Sequence, residues 1–299
     1  MDVLIVAKND WANMGYRLQE CLRKVGVDAK AVTLSINYSC KPKHAKICEV
    51  KNMQKYVNDS KIIQFMHSEF ECFNLNISKK RVFVFHGGGR YRDNPNERNK
   101  IFNPIIEKSL IQTGDLWDLG AKNKVWVLPP VDVNLIQPVF NKNNRIVISH
   151  YPSSAKLKGS DIIDTVMAKI KPTFNDKFVY KFSDKRVSWK EQIKRLSKCD
   201  IYIEQMLLGE WGVTALEAAS LGKIIVTNFK SYDKYLNEYG SCPIIPANSE
   251  EELVDVLVGL LNKSEDELLN LKKATRDWVC KNHSYEAVGK RLKEIVYEI

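Results

Sequence analysis

The stretch Gln205-Met206-Leu207-Leu208-Gly209-Glu210-Trp211-Gly212-Val213-Thr214-Ala215-Leu216-Glu217-Ala218-Ala219-Ser220-Leu221-Gly222-Lys223-Ile224-Ile225-Val226-Thr227 decides how this chain reads. A glycine-bearing turn opens a short helix, Glu217 sits inside it, and Gly222 ends it before an apolar strand. A helix start of this kind offers free backbone N–H groups to an anion. A carboxylate further along the same helix accepts hydroxyl protons. The pair suits a nucleoside diphosphate with its ribose.

Outward from this stretch, apolar β-rich runs alternate with amphipathic ones. Val3–Ala7 reads as a buried strand, followed by a polar turn through Asp10-Trp11-Ala12-Asn13 and a helix from Met14 to about Val25. Asp28–Leu34, Ile62–Met66 and Val82–Phe85 read as further strands, short and continuously apolar as in parallel sheets. Pro129-Pro130-Val131-Asp132 with Pro138 reads as the end of this unit, and the polar run 141–144 as a loop. The rhythm then restarts with strands Arg145–Ser149, Phe178–Phe182, Asp200–Gln205 and Lys223–Asn228. Between and after them lie helices Ser160–Ile170, Trp189–Ser197 and Glu250–Asn262, and a last one opened by the capping box Ser264-Glu265-Asp266-Glu267. The pattern predicts an α/β fold of two doubly wound, Rossmann-like domains, residues 1–140 and 141–299. The last helix is expected to cross back to the first domain.

With 299 residues, 44% hydrophobic and 27% charged, the chain has globular composition and length for two cores. No run of about eighteen apolar residues spans a bilayer, and the start lacks the basic flank of a secretion signal. The seven cysteines, Cys21, Cys40, Cys48, Cys72, Cys199, Cys242 and Cys280, are scattered without metal or redox spacing. A cytoplasmic location follows as the default, with a peripheral membrane surface as an open alternative. His44, His67, His150 and His283 form no spaced metal set, so no metal is expected. The net charge of +10 is uneven: residues 1–140 hold 21 Lys and Arg against 14 Asp and Glu, the remainder 25 against 22. The basic clusters Lys41, Lys43, Lys46, Lys51, Lys55 and Lys79, Lys80, Arg81, Arg90, Arg92, Arg98, Lys100 leave a polyanionic or membrane-associated acceptor, or nucleic acid, as candidate partners. Solvated surface charge is the plain alternative.

Four features in order resemble the retaining GT-B glycosyltransferases of the large family 4 group. They are Phe85-His86-Gly87, Pro130-Val131-Asp132 with Pro138, Lys158-Gly159-Ser160-Asp161, and Gly212 with Leu216-Glu217-Ala218 and Gly222-Lys223-Ile224-Ile225-Val226. Two positions depart from the family pattern. The first of its two glutamates would fall on Gly209, beside Glu210, and the arginine before its Lys-Gly turn would fall on Ser153. Gln205 with Trp211-Gly212 looks like a branch in which Gln precedes a Gly-aromatic-Gly turn.

The resemblance implies a GT-B architecture with the two domains facing across a cleft. It also implies an enzyme moving a sugar, with retention, from a nucleoside-diphosphate sugar (UDP- or GDP-linked) to a hydroxyl of a glycan or lipid-linked saccharide. No cofactor and no metal are implied. Lys158 and Gly159 would meet the diphosphate with the N–H groups of Gly212, Val213 and Thr214. Glu217 would hold the ribose, and His86 would contact the donor sugar near the reacting carbon. Trp211, Phe182 and Val187 complete the expected donor site. Trp11, Asn13, Gly15, Arg90 and Arg92 are expected on the acceptor side. Two other readings stay open: transfer to a hydroxymethylated DNA base, and a sugar-nucleotide-binding protein without turnover.

Overall fold

Val3, Leu4, Ile5 and Val6 are wholly buried, so the first strand requires apolar cover on both faces. It finds that cover at the centre of a parallel sheet. The computed structural model describes residues 1–36, 43–71 and 73–299. They divide into two units, Met1–Pro130 with His283–Ile299, and Val131–Asn282. Cys40, Cys72 and Lys41 lie outside the described residues.

The first unit holds β1 (Val3–Asn9), β2 (Ala29–Ser35), β3 (Lys46–Ile47), β4 (Ile62–Met66), β5 (Arg81–His86), β6 (Lys108–Ile111) and β7 (Lys124–Trp126). They form one parallel sheet in the order β3-β2-β1-β4-β5-β6-β7. The chain winds outward from β1 in one direction and then, from β4, in the other. The switch point therefore lies between the carboxyl ends of β1 and β4, where ligands bind in such sheets. Leu4, Val6, Ile63, Phe65, Val82 and Val84 anchor the core on one side of this sheet.

The closing segment completes this unit. His283 is buried and its Nδ1 lies 2.8 Å from the Pro129 carbonyl. Arg291 Nε donates to the Trp126 carbonyl at 2.8 Å, and Arg81 donates to the Tyr297 carbonyl at 2.8 Å. Gly289 lets helix Tyr285–Arg291 lie directly on helix Met14–Lys24, because a Cβ there would fall 2.2 Å from the Cys21 carbonyl oxygen.

The second unit holds β8 (Ile146–His150), β9 (Phe178–Phe182), β10 (Ile201–Ile203), β11 (Ile224–Thr227) and β12 (Ile245–Pro246). All pairs are parallel, in the order β12-β11-β10-β8-β9. Here the switch point lies between β8 and β10. Ile148, Ile201, Ile203, Ile224 and Val226 pack against helices Ser160–Phe174 and Glu250–Leu261. The expected capping box forms: Ser264 Oγ accepts from the Glu267 N–H at 3.3 Å while Glu267 accepts from the Ser264 N–H at 2.9 Å. Among the described residues no helix is long and apolar enough to cross a membrane.

Candidate functional site

At the switch point of the second unit, three sequence-distant pieces converge. His150 ends β8 wholly buried, with Nδ1 2.9 Å from the Ile203 carbonyl and Nε2 2.8 Å from Ser160 Oγ. Burial pushes its pKa below the ordinary histidine range. These bonds tie β8, β10 and the start of helix Ser160–Phe174 together. They fix the turn that carries Lys158 and Gly159, the latter in a left-handed conformation between the helical turn Ala155–Lys158 and helix Ser160–Phe174. Lys158 Nζ forms an ion pair with Glu204, the buried residue that follows β10. Gly212 precedes helix Val213–Ser220 and packs onto this pair: a Cβ there would lie 2.8 Å from Glu204 Oε1 and 3.5 Å from Lys158 Nζ. A cation and a helix start, whose first N–H groups at Val213 and Thr214 have no i−4 carbonyl, therefore stand side by side.

Glu217 is buried within that helix, and its Oε1 accepts from Trp189 Nε1 at 3.0 Å. That indole N–H orients the carboxylate. Phe182 ends β9 with its ring exposed on one side and stacked on His150 at 5.9 Å on the other. Val187 is half-buried in the loop that follows. Trp211 turns inward and packs edge-on against Phe229, Tyr235 and Trp278. It shapes the turn before Gly212 from behind. Gln205 does the same from its amide: Nε2 donates to the Glu210 and Asn228 carbonyls at 2.7 and 2.9 Å, and Oε1 accepts from the Leu208 N–H at 2.6 Å.

In the first unit, a cavity of about 550 Å³ opens at the switch point. It is lined by Trp11, Ala12 and Met14 after β1, His67 and Glu69 after β4, Gly87 to Arg90 after β5, and Gln112 after β6. Ala12 and Asn13, and His67 and Ser68, are left-handed pairs of non-glycine residues on its two sides. Such backbone costs roughly 1 kcal/mol or more per residue and collects at functional sites. Asp10 is buried and accepts from the N–H groups of Gly15 and Tyr16 at 2.6 and 3.0 Å, so the protein's own carboxylate fills the start of helix Met14–Lys24. Burial pushes its pKa up to about 6. Asn13 uses its amide on the Lys43 carbonyl at 2.7 Å.

His86 ends β5 wholly buried, with Nδ1 2.7 Å from Ser68 Oγ and its ring stacked on Tyr91 at 3.9 Å. Burial pushes its pKa down to about 3. The cavity wall is made instead by His67, pushed down to about 4 by burial. Arg90 pairs with Glu69 at 3.4 Å and Glu71 at 3.9 Å, and Arg92 with Asp115 at 2.6 Å. Arg98 is buried between Glu71 and Glu97, and Arg81 meets Glu107 at 2.8 Å. Much of the positive charge legible in this half is thus matched locally.

Glu204, Asp10, His67 and Glu69 were not singled out from sequence. His67 and Glu69 follow the apolar run Ile62–Met66, and their place after a strand was the available signal. Glu204 looked like part of a strand, and Asp10 like a turn residue.

No family model matches the chain, and no curated protein matches it. Solved structures do. HepE from Anabaena in complex with UDP-glucose is 9% identical over 100% of both chains, with a TM-score of 0.69. Sucrose-phosphate synthase from Thermosynechococcus elongatus is 12% identical over 99% of this chain and 98% of its own, with a TM-score of 0.62. WaaG, a glycosyltransferase involved in lipopolysaccharide biosynthesis, is 12% identical over 99% of both chains, with a TM-score of 0.61. These neighbours are GT-B glycosyltransferases, and at such identities the likeness establishes the fold: this chain has the GT-B fold, built from two Rossmann-like parallel sheets.

Proposed function

We propose that this protein is a glycosyltransferase that moves a sugar from a nucleoside-diphosphate sugar to a hydroxyl, with retention at the anomeric carbon. The observation that carries the reading is the convergence of Lys158, Glu204 and the Gly212 helix start at the switch point of the second unit. A compact ammonium beside a helix start is a phosphate cradle. Glu204 keeps the ammonium there before a ligand arrives. Lys158, Gly159, Val213 and Thr214 then meet the diphosphate, Glu217 takes the ribose hydroxyls, and Phe182 with Val187 receives the base. HepE was solved with UDP-glucose, which makes a UDP-sugar the first donor to try.

In the reaction the bond from the anomeric carbon to the diphosphate oxygen breaks and a bond to the acceptor oxygen forms on the same face. The hydroxyl proton passes to the departing phosphate. Lys158 and the helix start stabilise the charge that develops on the diphosphate, the term that lowers the barrier most. Because these groups meet that charge, turnover is expected to persist in EDTA. The cavity of the first unit receives the acceptor. His86, through Ser68, holds the left-handed turn that places His67 on its wall.

The test is a thermal-shift panel of nucleoside diphosphates and their sugars. A ligand at 100 times its Kd stabilises the native state by about 2.7 kcal/mol. One nucleotide is expected to raise Tm selectively, and Lys158→Ala to abolish the shift. A panel without a single responder would overturn the proposal.

A further inference from the structure

A carboxylate is an unfavourable neighbour for an anion, yet Glu204 stands at the place where the diphosphate is proposed to bind. Its backbone is fixed: the Glu204 N–H donates to the Val226 carbonyl at 2.9 Å, prolonging the ladder between β10 and β11. Its Oε1 lies against Gly212, the residue before helix Val213–Ser220, since a Cβ on that glycine would come within 2.8 Å of it. A phosphate oxygen on the first N–H groups of that helix would sit close to this fixed negative charge. Repulsion between such groups is weakly screened where water is excluded.

Lys158 is the partner free to adjust. Its side chain keeps 14% of its surface against 2% for Glu204, and it projects from the turn Ala155–Lys158 rather than from the sheet. An ammonium has three N–H donors, so Lys158 can hold Glu204 and a phosphate oxygen at the same time. The pair carries no net charge. What remains to attract an anion beside it is the partial charge of the helix start.

This balance acts differently on the two nucleotides of the proposed reaction. The diphosphate of a nucleoside-diphosphate sugar carries two negative charges. After transfer the terminal phosphate is free, and it loses a further proton at about pH 6. Beside a lone lysine the added charge would tighten binding of the product. Beside a neutral pair it gains little.

We propose that Glu204 is a positioning residue that keeps the donor site near electrical neutrality, so that the nucleoside diphosphate left after transfer is not retained in preference to the nucleoside-diphosphate sugar. The proposal rests on the glycosyltransferase reading for which ligand is donor and which is product, but the charge effect is measured by binding alone.

The experiment is calorimetric titration of the whole chain with UDP, UDP-glucose, GDP, GDP-mannose and pyrophosphate. Glu204→Gln keeps an oxygen for the ammonium and removes the charge. It should tighten whichever nucleoside diphosphate the wild type binds by about tenfold or more, and the matching sugar nucleotide by less. Glu204→Met removes the charge without that oxygen; it should shift affinity in the same direction, and it stands in if the glutamine variant does not fold. Glu204→Asp keeps the charge and should leave the ratio of the two affinities at its wild-type value. A carboxylate with only a structural role gives the opposite sign, with both ligands weakened together. Unchanged or weaker diphosphate binding in the neutral variants, with folding shown by circular dichroism, would overturn the proposal, as would equal tightening of both ligands. Selective nucleotide binding that is indifferent to Glu204 sinks this proposal alone. A wild-type chain that binds none of the five probes sinks the glycosyltransferase reading, and this proposal with it.

Discussion

Lys158 and Glu217 stand at the two ends of the proposed donor site, and each has its own test. Lys158→Ala should lower turnover tenfold or more, where each decade is about 1.4 kcal/mol of transition-state stabilisation. Because Lys158 is paired with buried Glu204, its removal strands a carboxylate, a loss of about 3–5 kcal/mol in stability. The double variant Lys158→Met with Glu204→Gln removes both charges. It should keep the fold by circular dichroism while turnover stays low; wild-type rates in either variant would take the lysine out of the mechanism. Glu217→Ala should mainly raise the donor Kd, whereas Trp189→Phe removes only the indole N–H that orients the carboxylate and should have a smaller effect. Unchanged donor affinity in Glu217→Ala, read by calorimetry, would argue against the ribose role. At this scale the sequence singled out residues with a motif around them, Lys158 and Glu217. It did not disclose Glu204, whose role depends on a partner 46 positions away.

Among elements, the contact between helices Met14–Lys24 and Tyr285–Arg291 leaves no room for a side chain at Gly289. Gly289→Ala would press a methyl group into the Cys21 carbonyl. Overpacking of this kind costs about 1–3 kcal/mol, so a lower urea midpoint with unchanged slope is expected. An unaltered midpoint would mean that the helices separate without penalty. The long periodic segments were legible, since Trp189–Ser197 and Phe178–Phe182 occur with the expected bounds and others within a few residues. The short strands β3, β6 and β7 were not. Runs of two to four residues carry too little alternation to stand out from loop, and they exist because a neighbouring strand already offers its edge.

For the molecule as a whole, the response to acid follows from buried histidines. His67, His86 and His283 have pKa values pushed down to about 4, 3 and 4 in the folded state. Unfolded, each protonates near 6.5. Between these limits the unfolded chain binds more protons, so each histidine removes up to about 1.4 kcal/mol of stability per pH unit as pH falls. Asp10, raised to about 6, acts oppositely: folded, it holds a proton that the unfolded chain releases down to about 3.8, so its burial becomes less costly as pH falls. Burial raises Glu69 in the same direction as Asp10, and the three histidines outweigh the two carboxyl groups. All five belong to the unit formed by Met1–Pro130 and His283–Ile299, whereas Val131–Asn282 holds one such histidine, His150. Its amides should therefore lose hydrogen-exchange protection before those of Val131–Asn282 when pH drops from 7 to 5. Equal loss in both units would show that these imidazoles titrate freely.

Local periodicity, helix caps and the glycines at residues 212 and 222 determined by themselves that the chain is α/β with Rossmann-like halves, because a repeat of apolar strand and amphipathic helix has few ways to bury its faces. They also marked the helix start that carries Glu217. Strand order belonged to tertiary structure alone, and with it the two switch points. Only there do Lys158 and Glu204 come together, and only there do Trp11, His67 and Glu69 share one cavity. Burial made the same distinction between neighbours of like chemistry: His86 became an interior support and His67 a wall residue. A left-handed turn at His67 and Ser68 decides that difference, and it is held by packing from β5, which lies beyond the reach of any local pattern.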